Sequence, residues 1–401
     1  MGPLRGLKVV ELAHIMAGPV CGRMLADMGA DVVKVERLPG GDPSRSFLPP
    51  DIGGEAAAFL MLNRNKRGIA VNLKTDAGRE IVRKLLLRAD VAIENYRAGT
   101  MERLGIGYES LKRDNPGLIF CEISGFGRTG PYAHLGGFDL IAQGYSGLMS
   151  ITGEGPGRPP VKCGAPLTDI TAGILAAMGV LAAYIHRLET GRGQRVDTSL
   201  FEAGITQTYW QSAIALATGV SPGPMGSAHP LNAPYQSFPT SDGWINIGAA
   251  SQATWERLVE ALGVPELAQD PRFCDNAARM EHREELASII AARIRERSTA
   301  EWLDRLERAG VPAGPVLTVK EMLEHPQTAA RGMVTDVPHT RLGKVRTLGF
   351  PVRLTETPAE IERGAPLLGE HTREVLRELG YEDSEITALE EQGVIHSSPA
   401  Q

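Results

Sequence analysis

The chain has 401 residues, enough for two domains and a sizeable core. Its 42% hydrophobic and 22% charged residues are an ordinary globular balance. A formal net charge of −6 argues against nucleic acid as the main partner, although a local group of Arg and Lys can still hold a small anion. Cys21, Cys121, Cys163 and Cys274 are scattered, with no CxxC pair and no His at zinc spacing, so they read as reduced thiols filling the core and no metal site is expected. MGPLRGLKVVEL carries no signal-peptide pattern. The apolar run 170–185 is shorter than the roughly 20 residues that span a bilayer. A soluble cytoplasmic protein is expected, with no membrane partner.

LKVVEL opens the chain as a buried-type strand, and AHIMAGP follows as a loop in which Pro19 suits the first position of a helix. PVCGRMLADM is that helix, stopped near Gly29, and DVVKVE is the next strand. A βαβ start of this kind implies a layered α/β domain with a parallel sheet. GIAVNL, VAIENY and PGLIFCEIS continue the strands, with DAGREIVRKLLLRAD as a helix between the first two. One long helix is expected over 169–189, then the strand QRVDTSL and an Ala-rich helix to about Thr218.

The texture changes at 219–243, GVSPGPMGSAHPLNAPYQSFPTSDG, which reads as a linker and a domain boundary. Beyond it come a short strand, GWINIGA, and amphipathic helices. The expected division is a large α/β domain over 1–221, a small domain over 222–325, and a C-terminal part over 326–401 that returns to the large domain. In that last part MVTDVPH and KVRTLGFPVRL read as short strands before two final helices.

In PLTDITAG, 166–173, Asp169 stands at the mouth of a nearly uncharged run. As a helix N-cap its carboxylate accepts from the amides of Thr171 or Ala172, which stabilises the helix by about 1 kcal/mol. As a nucleophile it attacks an activated acyl group, helped by the unpaired amides of a helix start. Ligands of open α/β sheets lie beyond the carboxyl ends of the strands. Arg37 falls at such an end in KVERLPGGDPSR, and Asn95, Tyr96 and Arg103 follow another in VAIENYRAGTMERLG. No GxGxxG occurs in the first βα turn, so the nicotinamide-dinucleotide signature is missing. The cations of NRNKRG, 63–68, read as a solvated turn or as phosphate contacts. SGFGRTGPYAHLGGFDLIAQGYSGLMSITG is a long glycine-rich loop holding Phe126, Tyr132, Phe138, Tyr145 and one acid, Asp139. In it His134 reads as a surface residue, with acid–base work as the alternative. Together these features suggest a phosphate-bearing cofactor with a nucleotide part.

The chain resembles the class III coenzyme A transferases of the formyl-CoA and carnitine CoA-transferase type. The resemblance rests on LKVVELAHIMAGPVCGRMLADMGADVVKVERLPGGDPSR, NRNKRGIAVNLK, VAIENYRAG, the GFGRTGPY…GGFD loop, PLTDITAG, TGRGQRVDTSL and PLLGEHT, in family order over nearly the whole chain. It implies that Asp169 attacks the donor thioester, forms a mixed anhydride, and then carries CoA as an aspartyl thioester. It implies CoA contacts at Ile15, Met16, Ala17, Arg37, Leu73, Asn95, Tyr96 and Arg103. Met16 stands where the formyl-CoA type has a Gln, and Gly136 where it has a Lys, so a cofactor charge contact is expected to be absent at Gly136. The glycine-run loop over oxalate is replaced by MGSAHPLNAPYQSF, which is more similar to relatives acting on succinate and glutarate. His229, Asn232, Tyr235 and Gln236 then become candidates for holding a distal carboxylate, or merely pack the domain junction. The implied fold is a Rossmann-like domain made from both chain ends plus a smaller α+β domain, in an interlocked homodimer. A 2-methylacyl-CoA racemase of the same fold is the alternative, but Phe138 stands where its His base belongs and a phenyl ring cannot move a proton. A catalytically silent CoA-binding protein is the third reading.

Overall fold

Short apolar runs build the large sheet. The computed structural model describes residues 2–398. Strands β1 (Lys8–Glu11), β2 (Asp31–Arg37), β3 (Lys66–Val71), β4 (Val91–Glu94), β5 (Ile119–Ser124) and β6 (Arg195–Ser199) pair in parallel in the order β3-β2-β1-β4-β5-β6. Val9 sits in register with Val32 on one side and Val91 on the other. The central strands are buried on both faces, which is why they read as continuous rather than alternating apolar runs. Residues Ile395–His396 (β7) add antiparallel to β3, a pairing too short to be legible in sequence.

Helices cover both faces. Helix α1 (Ala17–Asp27) lies on one face and α2 (Asp76–Arg88) on the other. The glycine-rich segment is not all loop, because it contains α3 (Asp139–Tyr145). Helix α4 runs Leu167–Thr190, 24 residues, and is followed by α5 (Leu200–Thr206). The expected run is shorter than α4 because periodicity ignores the polar first and last turns. By length and composition alone α4 could cross a membrane. One side of it, Ala172, Ala176, Val180 and Ala183, is buried in the core shared with α1. On another side Met178 is 62% and Leu188 68% exposed.

The chain divides into two compact units. The first holds residues up to Gly147, Cys163–Gln207, and those from Pro326 on. The second holds Leu148–Lys162 and Thr208–His325. It has a three-stranded antiparallel sheet and a core around Trp255, Trp302 and Phe273. Capping boxes at Ser251 and Ser298 start two of its helices. The stretch 219–243 that reads as linker contains one of its strands, Tyr235–Pro239, which alternation of apolar residues barely marks.

Candidate active site

Strand order reverses between β1 and β4, since β2 and β3 lie to one side of β1 and β4 onward to the other. Such a switch point opens a crevice at the carboxyl ends of the two strands. Two loops leave it, and one residue pair ties them. The His14 backbone N–H donates to Asn95 Oδ1 at 3.0 Å, and Asn95 Nδ2 donates to the His14 carbonyl at 2.9 Å. The His14 and Tyr96 rings pack 5.5 Å apart.

The first loop is strained. Ile15 has φ +66°, a region a β-branched residue rarely enters and one costing about 1–3 kcal/mol. Its N–H donates to both Asp42 oxygens at 3.1 and 3.2 Å. Asp42 is fixed in turn by the Lys34 ammonium at 2.9 Å, which also meets Glu11 Oε1 and the Ala13 carbonyl. Lys66 completes the network on Glu11 Oε2 at 2.8 Å and Asn63 Oδ1 at 2.9 Å. Burial opposes the Asp42 charge, yet the Lys34 ammonium and the Ser44 hydrogen bonds hold its carboxyl well below the usual range. Lys34 is held above its ordinary value: burial works against the charge, and Glu11 and Asp42 outweigh it. For Lys66 burial wins over Glu11 and brings the amine down to about 8.

This network corrects the reading of NRNKRG. Arg64 and Lys66 are fully buried rather than solvated. Arg64 pairs with Asp27 at 2.6 Å, and Arg67 with Asp31, Glu374 and Glu378. These cations are consumed in holding the fold and are not offered to a phosphate.

Asp169 is not the helix cap. It is the third residue of α4, and the boundary residue Pro166 makes no side-chain cap. The cap comes from outside the helix: Asp139 Oδ1 accepts from the Thr168 N–H at 2.9 Å and its hydroxyl at 2.8 Å. Asp139 Oδ2 accepts from Gln143, whose Oε1 accepts from the Cys163 N–H. Among the described residues none donates a hydrogen bond to the Asp169 carboxylate. Its pKa is pushed up to about 7, by burial first and by the Asp139 charge second. Gly173, one turn on, lies so close to α1 that a Cβ there would sit 2.6 Å from the Ala17 carbonyl. That contact sets Asp169 over the strained turn.

A cavity of about 370 Å³ lies here. It brings together Ile15, Met16 and Ala17 from one loop, Asn95, Tyr96 and Arg103 from the other, and Asp169. Arg37 and Leu73 do not line it. Arg37 is exposed at the end of β2, with Nε donating to the Gly41 carbonyl at 3.3 Å. Leu73 lies just past β3, packed against the core. Both stand at carboxyl ends of strands farther along the same edge of the sheet. Residues that the sequence reading missed include Arg97, Thr100, Arg128 and Leu200, which also line the cavity. Strand-end position marks the first three, but their type alone marks none. A larger hollow of about 440 Å³ lies beside Asp31 and Arg67, at the amino ends of the strands.

The glycine-rich segment folds over the cavity. A Cβ on Gly137 would lie 2.4 Å from Gly125 Cα, so two backbones cross where only glycine fits. Phe126 packs edge-on against Tyr145 at 5.0 Å and near Phe201 at 5.9 Å. Arg128 ties the segment down: its N–H donates to Asp197 Oδ2, Nη1 to the Tyr96 carbonyl, and the guanidinium pairs with Glu94 and Glu122. Burial pushes Glu94 up to about 7 against the pull of Arg128. His134 is exposed and Phe138 lines the cavity. Among the described residues no His, Cys, Asp and Glu group is placed to hold a metal ion.

In the second unit the His229 ring lies 6.1 Å from Trp210 and 5.1 Å from Tyr235, and its Nδ1 accepts from the Leu231 N–H. Asn232 reaches the same Nδ1 at 3.4 Å. Tyr235 remains half exposed.

The chain is similar to known proteins over nearly its whole length. The model of CoA-transferase family III matches residues 4–372. The succinate–glutarate CoA-transferase of Agrobacterium fabrum is 42% identical, over 94% of this chain and 96% of its own length. The acetyl-CoA:oxalate CoA-transferase of Acetobacter aceti is 38% identical, over 92% and 94%. The crystal structure of a CAIB/BAIF family protein from Brucella suis superposes with a TM-score of 0.84 at 42% identity, over 94% of this chain and 99% of that one. The parallel sheet, its switch-point cavity and the agreement along nearly the whole sequence lead to one conclusion: the chain belongs to CoA-transferase family III, and it is a CoA-transferase.

Proposed function

We propose that this enzyme moves CoA between carboxylic acids through a covalent intermediate on Asp169, with a dicarboxylate such as succinate or glutarate as one substrate. The observation that carries the reading is the Asp169 carboxyl itself. It lines the cavity, accepts no hydrogen bond from a described residue, and has a pKa near neutrality. A carboxylate held by several donors is a poor nucleophile, and this one is free.

Asp169 attacks the thioester carbonyl of the donor, and the C–S bond breaks to give a mixed anhydride and CoA thiolate. The thiolate attacks the Asp169 acyl carbon, releasing the donor acid and leaving an aspartyl-CoA thioester. The acceptor carboxylate attacks that carbon in turn, again giving an anhydride and thiolate. Thiolate attack on the acceptor acyl carbon frees the new acyl-CoA and regenerates the Asp169 carboxylate. Asn95 and the turn 15–17 position the thioester, and the amide groups at the start of α1 face the developing charge. The Met16 side chain has no amide to offer it, so those backbone groups carry the load in place of a glutamine.

CoA enters as acyl-CoA substrate and no metal takes part. The distal carboxylate of such a substrate needs paired donors to offset its desolvation. We place the enzyme in the cytoplasm as an interlocked homodimer. The large exposed apolar residues of α4 support a second chain covering that helix.

Donor acyl-CoA alone, followed by hydroxylamine, should place a hydroxamate on the Asp169 peptide, and Asp169→Ala should abolish both label and transfer. Near-normal turnover by the alanine variant would refute the mechanism. With succinyl-CoA as donor, glutarate should outcompete butyrate and oxalate. Efficient use of oxalate, as the Acetobacter relative's name describes for that protein, would remove the substrate class and leave the transferase standing.

A further inference from the structure

Lys66 is fully buried at the start of β3, against the first turn of α1. Its Nζ donates to the Pro19 carbonyl of that turn at 3.0 Å and to Asn63 Oδ1 at 2.9 Å, and lies 2.8 Å from Glu11 Oε2. The helix comes so near that a Cβ on Gly22 would meet Glu11 Oε2 at 1.9 Å and Lys66 Cε at 3.5 Å. Gly22 therefore seats α1 on the Glu11–Lys66 pair. The same helix start faces the cavity through Met16 and Ala17, and Met16 supplies no side-chain cap. Its first amides have no partner inside the helix and are left for the reacting groups. Beneath them two cations, Lys34 and Lys66, face two acids, Glu11 and Asp42, with Glu11 shared by both lysines. Glu36, a further acid on β2, is matched separately by Arg45. The charge buried under the turn is balanced only while Lys66 is an ammonium.

We infer that Lys66 is a positioning residue for acyl transfer: it holds the first turn of α1 through the Pro19 carbonyl and Glu11, and its charge cancels the second acid beneath that turn. The inference rests on the proposed Asp169 chemistry and adds a residue that does not line the cavity. Negative charge develops on the thioester oxygen when Asp169 attacks, and the amides at the start of α1 face it. A neutral Lys66 leaves one net negative charge buried beneath those amides, and like charges repel strongly in a poorly solvated interior. Burial is the main force bringing the Lys66 amine down to about 8; Lys34 adds to the fall, and Glu11 and Asp42 oppose it. The rate should thus drop as pH rises through about 8. Stability moves the other way. The folded value lies below the ordinary 10.5, so the cost of burying this charge is relieved as pH rises from about 8. Activity lost while stability is gained marks positioning by charge rather than unfolding.

Profiles of kcat against pH, with thermal melts, test this on wild type, Lys66→Met and the charge-balanced pair Glu11→Gln/Lys66→Met, using succinyl-CoA and glutarate at saturation. Wild-type kcat should fall above about pH 8, while its melting temperature rises relative to that of the pair. Lys66→Met should lower kcat at neutral pH roughly tenfold or more, change the KM of succinyl-CoA little, and lose the alkaline limb. The pair removes one acid with one cation, leaves Lys34 facing Asp42, and should recover most of kcat with that limb still absent. Because the pair buries no unmatched charge, it decides the matter if Lys66→Met does not fold. An alkaline limb that persists in the pair, an unchanged kcat in Lys66→Met, or a wild-type melting temperature that falls with kcat relative to the pair overturns the inference. Hydroxylamine trapping on wild type at neutral pH keeps the parent reading separate. A label on Asp169 retains the covalent mechanism whichever way Lys66 is decided, and no label removes both.

Discussion

Asp139 caps the helix on which Asp169 rides: its carboxylate accepts both the N–H and the hydroxyl of Thr168, the residue directly before Asp169. One acid thus fixes the helix start and raises the pKa of another. The two effects separate by substitution.

Asp139→Asn keeps an acceptor oxygen for Thr168 and removes the charge. The acid limb of kcat/KM should move to lower pH with little change in Tm. It should stay above the ordinary carboxylate range, because burial is the larger cause. Asp139→Ala should add a loss of about 1 kcal/mol from the missing cap. An acid limb that stays in place in the Asn variant would show that the Asp139 charge does not reach Asp169.

The raised pKa of Asp169 has a sign for stability. Its folded value, about 7, exceeds the ordinary 3.8. Its contribution is fully present below the unfolded value and is lost as pH rises through about 7. Asp169→Asn, which never ionises, should be more stable than wild type at pH 8 by roughly 1–3 kcal/mol and equal to it near pH 4. Thermal melts at the two pH values read this directly, and a pH-independent difference would contradict it.

Asp42 holds the strained Ile15 and balances Lys34. Asp42→Ala leaves a buried ammonium short of one partner and an N–H without an acceptor. A loss of about 3–5 kcal/mol is expected, with kcat/KM falling beyond what the unfolded fraction explains. Asp42→Asn keeps an acceptor for Ile15 and should recover part of the activity. Chemical denaturation alongside kinetics at low temperature separates the two losses. Full activity in the folded fraction of Asp42→Ala would show that the turn keeps its shape without this contact.

Arg37 lies outside the cavity lining, on the same edge of the sheet. If the CoA nucleotide extends along that edge, Arg37→Ala should weaken CoA by about 1.5–3 kcal/mol and dephospho-CoA by less. Equal weakening of the two ligands moves Arg37 away from the 3′-phosphate.

The sequence by itself determined the parallel strands, the helices between them and the position of Asp169 at a helix start. Those features follow from local apolar patterns, which neighbouring residues impose on one another. The tertiary structure decided what each charge does. Lys66 and Arg64 look like a solvated turn until Glu11 and Asp27, distant in sequence, appear beside them. Asp169 looks like a cap until Asp139, 29 residues from Thr168, takes that role. Ile15 is held by Asp42, 27 residues away, and His14 by Asn95, 81 residues away. A pattern along the chain carries no record of such pairs, because burial and Coulomb energy depend on distance in space, and only the folded sheet brings these groups within reach of each other.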